Sequence, residues 1–549
     1  MLARRNPLTT LVLWCTLAAV GGACNSTNYD ASNVFRYNES ANLTSLDPAF
    51  ARTLEPMWVV DQLYDGLVEL DSELNVRPLI AQSYHSEDDG TKWVFVLRDD
   101  VYFTAHPDVP GLAEGRRLTA ADVVFSLNRL RDPELASSGR WILDALDASS
   151  EGEGLIARGA DTVEFKLKQP FPPFLGLLAT AYANVVAPEA VAYFGLDFRR
   201  NPVGSGPFKL AWWLEDVACV LHKNEVYWER DESGESIPYL DAVHISFASD
   251  MGAEFQGLLQ GKFDFMSGLH AAYMEELINA DGTLSEDYTE TIRMETAAFL
   301  KTDYVGFYLE PNEGEWLPWH EKAVRRALSL ATDRSGIARS LRRGTVVPAW
   351  GFVPPALIGQ SKPRSIVFDV ERAQSLMDSV ASVHPRPWPE MVLSTTSDYT
   401  DLCAAIQYQW KAIGLEVRID VVAPATHRDR VANGKVMAFR KSWLADYPDA
   451  ENFLSLFRKM NLAPSGPNYT HYTNHEFDRR LDSALMEATA SERAFQYETL
   501  NGMISDALPV IPLFHDQVTH FVRHEIEGWE INSVNRLDLR RVRKSAADV

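Results

Sequence analysis

A short segment in the last quarter of the chain brings together a cation, an aromatic ring and an anion. Arg440, Trp443 and Asp446 follow an apolar run, residues 436–439, that predicts a buried strand. We expect Arg440 and Asp446 to leave the strand end and enter a cleft, where α/β proteins place ligand groups. An Arg and an Asp six residues apart suit the two ends of a zwitterion. The alternative is a structural ion pair, with Trp443 in the core.

The elements that must position this segment alternate between strands and helices along the chain. Residues 93–97 predict a strand, and residues 118–130 predict a helix with Thr119 as N-cap and Asp122 in an acidic capping box. Further predicted elements are helices at 323–331 and 402–413 and a strand at 415–421. Such mixed elements indicate α/β lobes with parallel or mixed sheets.

The N-terminus predicts export. Two arginines precede an apolar run at 8–20, which is too short to span a bilayer and is typical of a signal peptide. The small residues before Cys24 resemble a bacterial lipobox, in which the cysteine is lipid-modified, although Gly21 replaces the usual Leu. The alternative is an ordinary cleaved signal peptide. We expect residues 1–23 to be the signal peptide and residues 24–34 a polar tether.

Length and charge limit the class of protein. A chain of 549 residues with 46% hydrophobic residues is long enough for two or three cores. No second apolar segment reaches membrane-spanning length, so the chain after Cys24 is expected to be soluble. The formal net charge of −24 argues against nucleic acid as a partner and mildly favours a cationic or zwitterionic ligand.

The cysteine and histidine patterns predict no metal site. Cys219 and Cys403 lie far apart and are interpreted as small buried hydrophobes, with a disulfide between them left open. Among thirteen histidines, His471 and His475 are four residues apart, but the intervening sequence predicts a loop. We expect that pair to lie on the solvated surface.

Several stretches then form an ordered pattern over residues 35–540. The most specific, residues 201–210, places Gly204 and Gly206 where close backbone approach predicts a tight structural loop. The other stretches are residues 46–48, 63–69, 93–98, 118–130, 224–228, 258–264, 324–334, 474–478 and 508–514. Together they resemble the large (cluster 5) extracytoplasmic solute-binding proteins of ABC importers, the peptide and nickel class.

This resemblance implies a two-lobed periplasmic-binding-protein fold of the α/β class, with an extra third domain and a ligand cleft between the lobes. The implied domains are a discontinuous lobe I (35–70, 191–275 and 511–549), domain II packed on it (71–190) and an opposing lobe, domain III (276–510). The chain crossings near residues 275 and 510 would then form the hinge.

Within that family the segment of Arg440 and Asp446 is most similar to periplasmic oligopeptide-binding members. The similarity implies that Asp446 receives the peptide α-ammonium group, that Arg440 receives the carboxylate of a short peptide, and that Trp443 fills the aromatic place. Leu444 stands where some peptide binders have a half-cystine, so ligand length and side-chain preference stay open.

Two further pairs are candidates for the cleft. Residues 348–355 resemble an aromatic and proline-rich loop that lines the cleft in the family, so Trp350 and Phe352 are expected to form side-chain pockets, with core packing as the alternative. Phe514 and His515 follow the return strand near the hinge and are expected to face the ligand.

The predicted function is a substrate-binding receptor that captures short peptides and delivers them to an ABC-transporter permease in the inner membrane. We expect a monomer without cofactor, metal, nucleic acid or enzymatic activity, in the periplasm or cell envelope and lipid-anchored through Cys24. One alternative keeps the fold but binds a nickel chelate, haem or an oligosaccharide. Another is an exported hydrolase, for which no GxSxG, HExxH or SxxK motif occurs in a fitting context.

Overall fold

The computed structural model describes residues 33–268, 271–310, 316–358, 367–487 and 489–545. The predicted signal peptide and the lipidation site Cys24 lie outside the described residues. The strands, in chain order, are β1 (Val34–Glu39), β2 (Val68–Leu70), β3 (Val76–Pro78), β4 (Ala81–Glu87), β5 (Lys92–Leu97), β6 (Tyr102–Phe103), β7 (Arg116–Arg117), β8 (Leu155–Arg158), β9 (Thr162–Lys166), β10 (Phe208–Leu214), β11 (Ala218–Lys223), β12 (Ala242–Phe247), β13 (Phe265–Ser267), β14 (Ile292–Phe307), β15 (Val346–Pro348), β16 (Met391–Thr395), β17 (Val417–Val421), β18 (Ala438–Leu444), β19 (Val510–Arg523), β20 (Ile526–Glu527) and β21 (Arg543–Lys544).

The α-helices lie between and beside these strands. In chain order they are α1 (Leu54–Leu63), α2 (Ala120–Arg129), α3 (Phe174–Leu178), α4 (Pro188–Phe194), α5 (Met251–Leu259), α6 (Ala271–Leu277), α7 (Lys322–Leu330), α8 (Arg334–Ser340), α9 (Pro355–Ile358), α10 (Val370–Val383), α11 (Thr400–Lys411), α12 (Pro424–Ala432), α13 (Glu451–Leu454), α14 (His475–Leu485) and α15 (Ala490–Ala507). The helices predicted at 323–331 and 402–413 correspond to α7 and α11, within two residues at each end.

The main sheet of the described residues has eleven strands in the order β10-β11-β12-β1-β13-β19-β14-β18-β16-β17, with β15 beside β19. Strand β1 runs parallel to β12 and β13, and β16 runs parallel to β17 and β18. The long strands β14 and β19 are antiparallel to each other and to their neighbours. The sheet is therefore mixed, as the sequence predicts.

Hydrophobic cores lie at both ends of this sheet. The core of lobe I includes Phe35 and Phe265 and extends to Phe95 on a separate four-stranded sheet, β4-β5-β9-β8. The opposing lobe has a core on each face of the sheet, one around Trp410 and one around Phe453. This is the two-lobed α/β architecture that the sequence predicts.

Strands β14 and β19 carry the chain between the lobes. Their pairing is interrupted at the crossing, where Ala298 lies opposite Gln517 but Thr302 lies opposite His515, so β14 bulges. In the bulge, the Leu300 amide donates to the carbonyl of Ser533 at 3.0 Å, and its carbonyl accepts from the Ala445 amide at 2.9 Å. The bulge thus connects the C-terminal segment of lobe I to the backbone just before Asp446.

Two local predictions from the sequence are confirmed. The Thr119 backbone amide donates to Asp122 at 2.8 Å, completing the capping box of α2. Gly204 and Gly206 lie against the backbone of Leu63, so a side chain at either position would overlap main-chain atoms. Asn224 holds the same loop by donating to the Gly206 carbonyl at 2.8 Å, which gives residues 201–210 a scaffold role.

Alanine substitutions at two glycines should therefore have opposite effects on the unfolding free energy. Gly204→Ala forces a methyl group into the Leu63 carbonyl, and we expect a loss of about 1–3 kcal/mol in unfolding free energy. Gly502, inside α15, has open space around it, so Gly502→Ala should gain about 0.5–1 kcal/mol from helix propensity. Urea denaturation of both variants measures this, and equal stabilities would contradict the close approach at Gly204.

Candidate functional site

Strand β18 differs from its prediction in a way that changes the position of Arg440. The strand continues through residues 438–444 instead of ending at Phe439, with Arg440 opposite Val305 of β14. Arg440 therefore lies inside the sheet and does not emerge into the cleft. Asp446 lies beyond the end of the strand and is exposed. The polar residues of the strand are accommodated because the neighbouring elements supply partners for them.

Arg440 is neutralised within the opposing lobe. Its guanidinium forms a buried ion pair with Asp303 of β14, donates to the hydroxyl of Ser442 at 2.8 Å and stacks on the ring of Tyr399. Burial lowers the pKa of Arg440 to about 9, and Asp516 opposes that shift. Arg440 thus forms a structural ion pair, but its partner is Asp303 and not Asp446, and Trp443 is only partly buried.

The ion pair belongs to a charged group at the crossing of the strands. Lys301, in the bulge of β14, lies 3.7 Å from Asp303 and also pairs with Asp516 of β19. Two atoms of the group, Asp303 Oδ2 and Arg440 Nε, are buried without a hydrogen-bond partner. Cations and anions therefore alternate across β18, β14 and β19 at the edge of the cleft.

Asp446 has no such counter-charge among the described residues. Its carboxylate is reached by the Asn452 amide at 3.3 Å and takes part in none of the ion pairs of the described residues. The side chain keeps an exposed surface, yet the surrounding protein desolvates it and raises its pKa, and Asn452 opposes that rise. A carboxylate without a cation beside it favours a cationic ligand.

Asn452 also fixes the aromatic side chain of the segment. Its carbonyl oxygen accepts from the indole of Trp443 at 2.8 Å and from the Asp446 amide at 3.4 Å. One side chain on α13 therefore positions both the ring and the carboxylate. Sequence reasoning missed Asn452, although it lies only six residues after Asp446.

Residues of the segment predicted to form domain II approach Asp446 from the other side. Burial raises the pKa of Tyr182, and the negative charge of Asp446 raises it further, while the hydrogen bond with Ser138 and the charge of Arg52 lower it. The next residue, Tyr447, has its ring 6.0 Å from that of Trp141 and packs in the core of lobe I. Asp446 thus lies between the lobes.

The two candidate aromatic pairs divide between a cavity and the core. Trp350 and His515 line a cavity of about 870 Å³ between β19, α15 and the loop after β15. Phe352 and Phe514 are only 0% and 1% exposed. Phe352 packs against Phe457 at 4.9 Å, so in this structure its side chain belongs to the core.

The imidazole of His515 is neutral and has one tautomer. Burial lowers its pKa to about 4, which leaves the imidazole neutral. The Thr302 hydroxyl donates to the carbonyl of Phe352 at 2.9 Å, so the contact between His515 Nδ1 and that hydroxyl, also 2.9 Å, requires the histidine to donate. Nε2 then remains an acceptor on a residue that lines the cavity.

Other predictions concern metals, cysteines and membranes. Within the described ranges, no group of three or more His, Cys, Asp or Glu side chains is placed to hold a metal ion. His471 lies in a loop, as predicted, with Nδ1 2.6 Å from Glu310. Cys219 and Cys403 are buried and free, which excludes a disulfide between them. In the same part of the chain, every helix is too short or too polar to cross a membrane.

The buried pair of Arg440 and Asp303 makes a test of stability. Asp303→Asn leaves the guanidinium buried without its anion, and we expect the unfolding free energy to fall by about 3–5 kcal/mol at pH 7. The double variant Asp303→Leu with Arg440→Met removes both charges and should recover most of that loss. Urea denaturation compares them, and a single variant as stable as the wild type would show that the pair does not support the fold.

Comparison with known proteins places this fold in a family. The model of the bacterial extracellular solute-binding proteins, family 5 Middle, matches residues 75–462. Oligopeptide-binding protein OppA of Bacillus subtilis is 24% identical over 93% of this chain and 94% of its own length. Glutathione-binding protein GsiB of Salmonella paratyphi A is 25% identical over 89% and 90%.

A solved structure gives the same result for the fold. The ABC transporter-associated periplasmic binding protein DppA from Helicobacter pylori, in complex with peptide STSA, has a TM-score of 0.75 at 22% identity. The likeness covers 93% of this chain and 98% of that one. Since the family model matches well over half of the sequence, the chain belongs to the bacterial extracellular solute-binding proteins of family 5.

Proposed function

We propose that this protein is a receptor that binds short peptides between its lobes and delivers them to the permease of an ABC importer. The observation that carries the proposal is Asp446, a carboxylate that is reached by the Asn452 amide but has no ion-pair partner among the described residues. The family and two relatives, an oligopeptide-binding and a glutathione-binding protein, support it. As a solute-binding protein, it is proposed to return its ligand unchanged.

Asp446 is proposed to receive the α-ammonium group of the peptide. Charge-assisted hydrogen bonds are worth about 1.5–3 kcal/mol each, and the ammonium group would supply the positive charge that Asp446 lacks. Trp443 is held beside it through Asn452 and offers an aromatic surface for the first residue of the ligand. Glutathione carries an α-ammonium group as well, so it belongs in the same binding test.

For Arg440 we propose a positioning role. The sequence resemblance implies that it receives the peptide carboxylate, but in this structure Asp303 already neutralises it. The pair joins β14 to β18, and Asp446 follows the end of β18. Arg440 would thus hold in place the strand that carries the ammonium-binding residue.

The cavity lined by Trp350 and His515 is proposed to take a ligand side chain. Its remaining lining is largely apolar and includes Pro348, Pro355 and Phe495. Water-filled pockets of this kind accommodate varied side chains, while backbone contacts hold an extended peptide.

Closure of the lobes is proposed to occur at the bulge of β14. A ligand that touches both lobes favours the closed state, and moving the equilibrium from 1:99 to 99:1 requires about 5.5 kcal/mol of differential binding. Domain II, proposed to comprise residues 71–190, would follow lobe I in this motion.

Asp446→Asn tests the proposed ammonium site. The substitution keeps the shape of the side chain but removes its charge, so we expect peptide affinity to fall by about 30-fold to several thousand-fold, or about 2–5 kcal/mol. N-acetylating the peptide should weaken binding to the wild type to the same extent. The two losses should not add, because they remove the same interaction.

Isothermal titration with free and acetylated peptides measures both effects. Asp378→Asn, on the exposed side of α10, removes one charge from the same lobe and should leave affinity unchanged. If Asp446→Asn binds free and acetylated peptides as tightly as the wild type does, Asp446 is not the ammonium site. Binding of nickel, haem or an oligosaccharide, with none for peptides or glutathione, would replace the proposed ligand.

We also propose that the mature protein is lipid-anchored in the cell envelope through Cys24. Cys24→Ala should move the protein from the membrane fraction to the soluble envelope fraction. Mass spectrometry of the wild-type N-terminal peptide should show an added lipid. Unchanged fractionation of the variant, with no lipid on the wild type, would leave an ordinary cleaved signal peptide.

A further inference from the structure

A second cavity lies in lobe I, at the ends of its parallel strands. It has a volume of about 340 Å³ and occupies the carboxyl ends of β1 and β13, beside the start of α1 and α5. Crevices at the carboxyl ends of parallel strands are where open α/β sheets bind ligands. We call it the lobe I pocket, and its lining residues are Asn38, Glu39, Ser40, Leu54, Glu55, Trp58, Met251, Glu254, Phe255, Met266, Ser267, Gly268, Tyr273 and Asn535.

All the described charged residues that line the lobe I pocket are acidic. Glu39, Glu55 and Glu254 line it, and no Lys, Arg or His is among the described residues that do so. Each carboxylate comes from a different element: β1, α1 and α5. The fold therefore brings together three carboxyl groups that come from separate elements, without a cation among their neighbours in the lining.

Glu39 has a side-chain oxygen without a hydrogen-bond partner, which indicates that the pocket binds a donor. Its side chain lies at the end of β1, the residue is 8% exposed, and its Oε1 is buried without a hydrogen-bond partner. Burial, with Glu55 and Glu254 nearby, holds the pKa of Glu39 well above its usual range. Burial likewise raises the pKa of Glu254 to about 7, although the Asn38 side chain opposes the rise.

The remaining lining suits an organic cation. Trp58 is fixed by donating from its indole to the Asn535 carbonyl at 2.6 Å, and the rings of Phe255 and Tyr273 lie 5.8 Å apart. Aromatic faces attract ammonium and guanidinium groups, and apolar walls accept the methylene stem of a lysine or arginine. Within the described ranges, no cluster of ligands is placed for a metal ion.

The lobe I pocket also lies on the same side of the lobe as the proposed ammonium site. Asn535, which lines the pocket, lies two residues after Ser533, whose carbonyl accepts from the Leu300 amide, and the Leu300 carbonyl accepts from the Ala445 amide directly before Asp446. Leu54 and Glu55, in the first turn of α1, line the lobe I pocket. A peptide held at Asp446 would therefore have the start of α1 beside it.

We propose that the lobe I pocket binds the positively charged side chain of a lysine or arginine in the ligand, with Glu39 and Glu254 as its anions. The inference rests on the proposed peptide-binding function and makes the receptor selective for basic peptides. Glu39 would gain the hydrogen-bond donor that it lacks, and the aromatic side chains would enclose the stem of the cation.

The test compares ligands that differ only in charge. Tri- and tetrapeptides carry, at one position at a time, either lysine or norleucine, which has the same stem without the ammonium group, and titration calorimetry gives their affinities. At one position, we expect lysine to bind about tenfold to 100-fold more tightly. Glu39→Gln and Glu254→Gln should each remove most of that difference while leaving the norleucine peptides unchanged.

Two controls separate this site from other effects. Glu232→Gln removes an exposed charge from lobe I outside the pocket, so it should keep the lysine preference and report the effect of net charge alone. N-acetylated lysine peptides show which cation is bound. If acetylation abolishes the effect of Glu39→Gln, the pocket holds the α-ammonium group and the side-chain assignment is wrong.

The outcomes also separate this inference from the proposed function. Equal binding of lysine and norleucine peptides at every position, with Asp446→Asn still weakening both, overturns the lobe I pocket alone. Absence of binding for all peptides overturns both. A lysine preference that survives Glu39→Gln and Glu254→Gln but is lost in Asp446→Asn places the cation at Asp446 and also overturns the inference.

Discussion

A charge that is removed from water must be neutralised, and this requirement organises the centre of the molecule. Arg440 meets it inside the sheet, where Asp303 and Ser442 surround the guanidinium. The buried Glu39 does not meet it within the described residues, and the more exposed Asp446 likewise has no cation beside it among them. The presence or absence of a counter-charge therefore separates the ion pair, which supports the fold, from the carboxylates that are candidates for ligand binding.

The two unneutralised carboxylates belong to different lobes, which bears on selectivity. Asp446 lies beyond the end of β18 in the opposing lobe, and Glu39 ends β1 in lobe I. A ligand with two separated cations would satisfy both and so would gain from closure in a way that a singly charged ligand would not. Charge spacing in the ligand, more than its sequence, would then set how firmly the closed state is favoured.

The elements of the fold were largely predictable from the sequence, because local signals specify them. The capping box of α2 and the close approach at Gly204 depend on neighbouring residues and on the absence of a side chain. The end of β18 was not predictable in this way. Arg440 has the polarity of a strand terminus, and only its distant partner Asp303 allows the strand to continue. Trp350 and Phe352 share a loop and a composition, so only packing assigns one to a cavity and the other to the core. The lobe I pocket needed the tertiary structure, since its glutamates come from three separate segments.

The hydrogen bonds of Leu300 give the bulge of β14 a second role. The amide of Leu300 is tied to Ser533 in the C-terminal segment, and its carbonyl is tied to Ala445, directly before Asp446. A change in the angle between the lobes that bends the bulge would therefore act on the backbone directly before Asp446 as well as on the C-terminal segment. The position of Asp446 and the angle between the lobes would then be coupled through Leu300. Binding of a cation at Asp446 and closure of the cleft would then be coupled events.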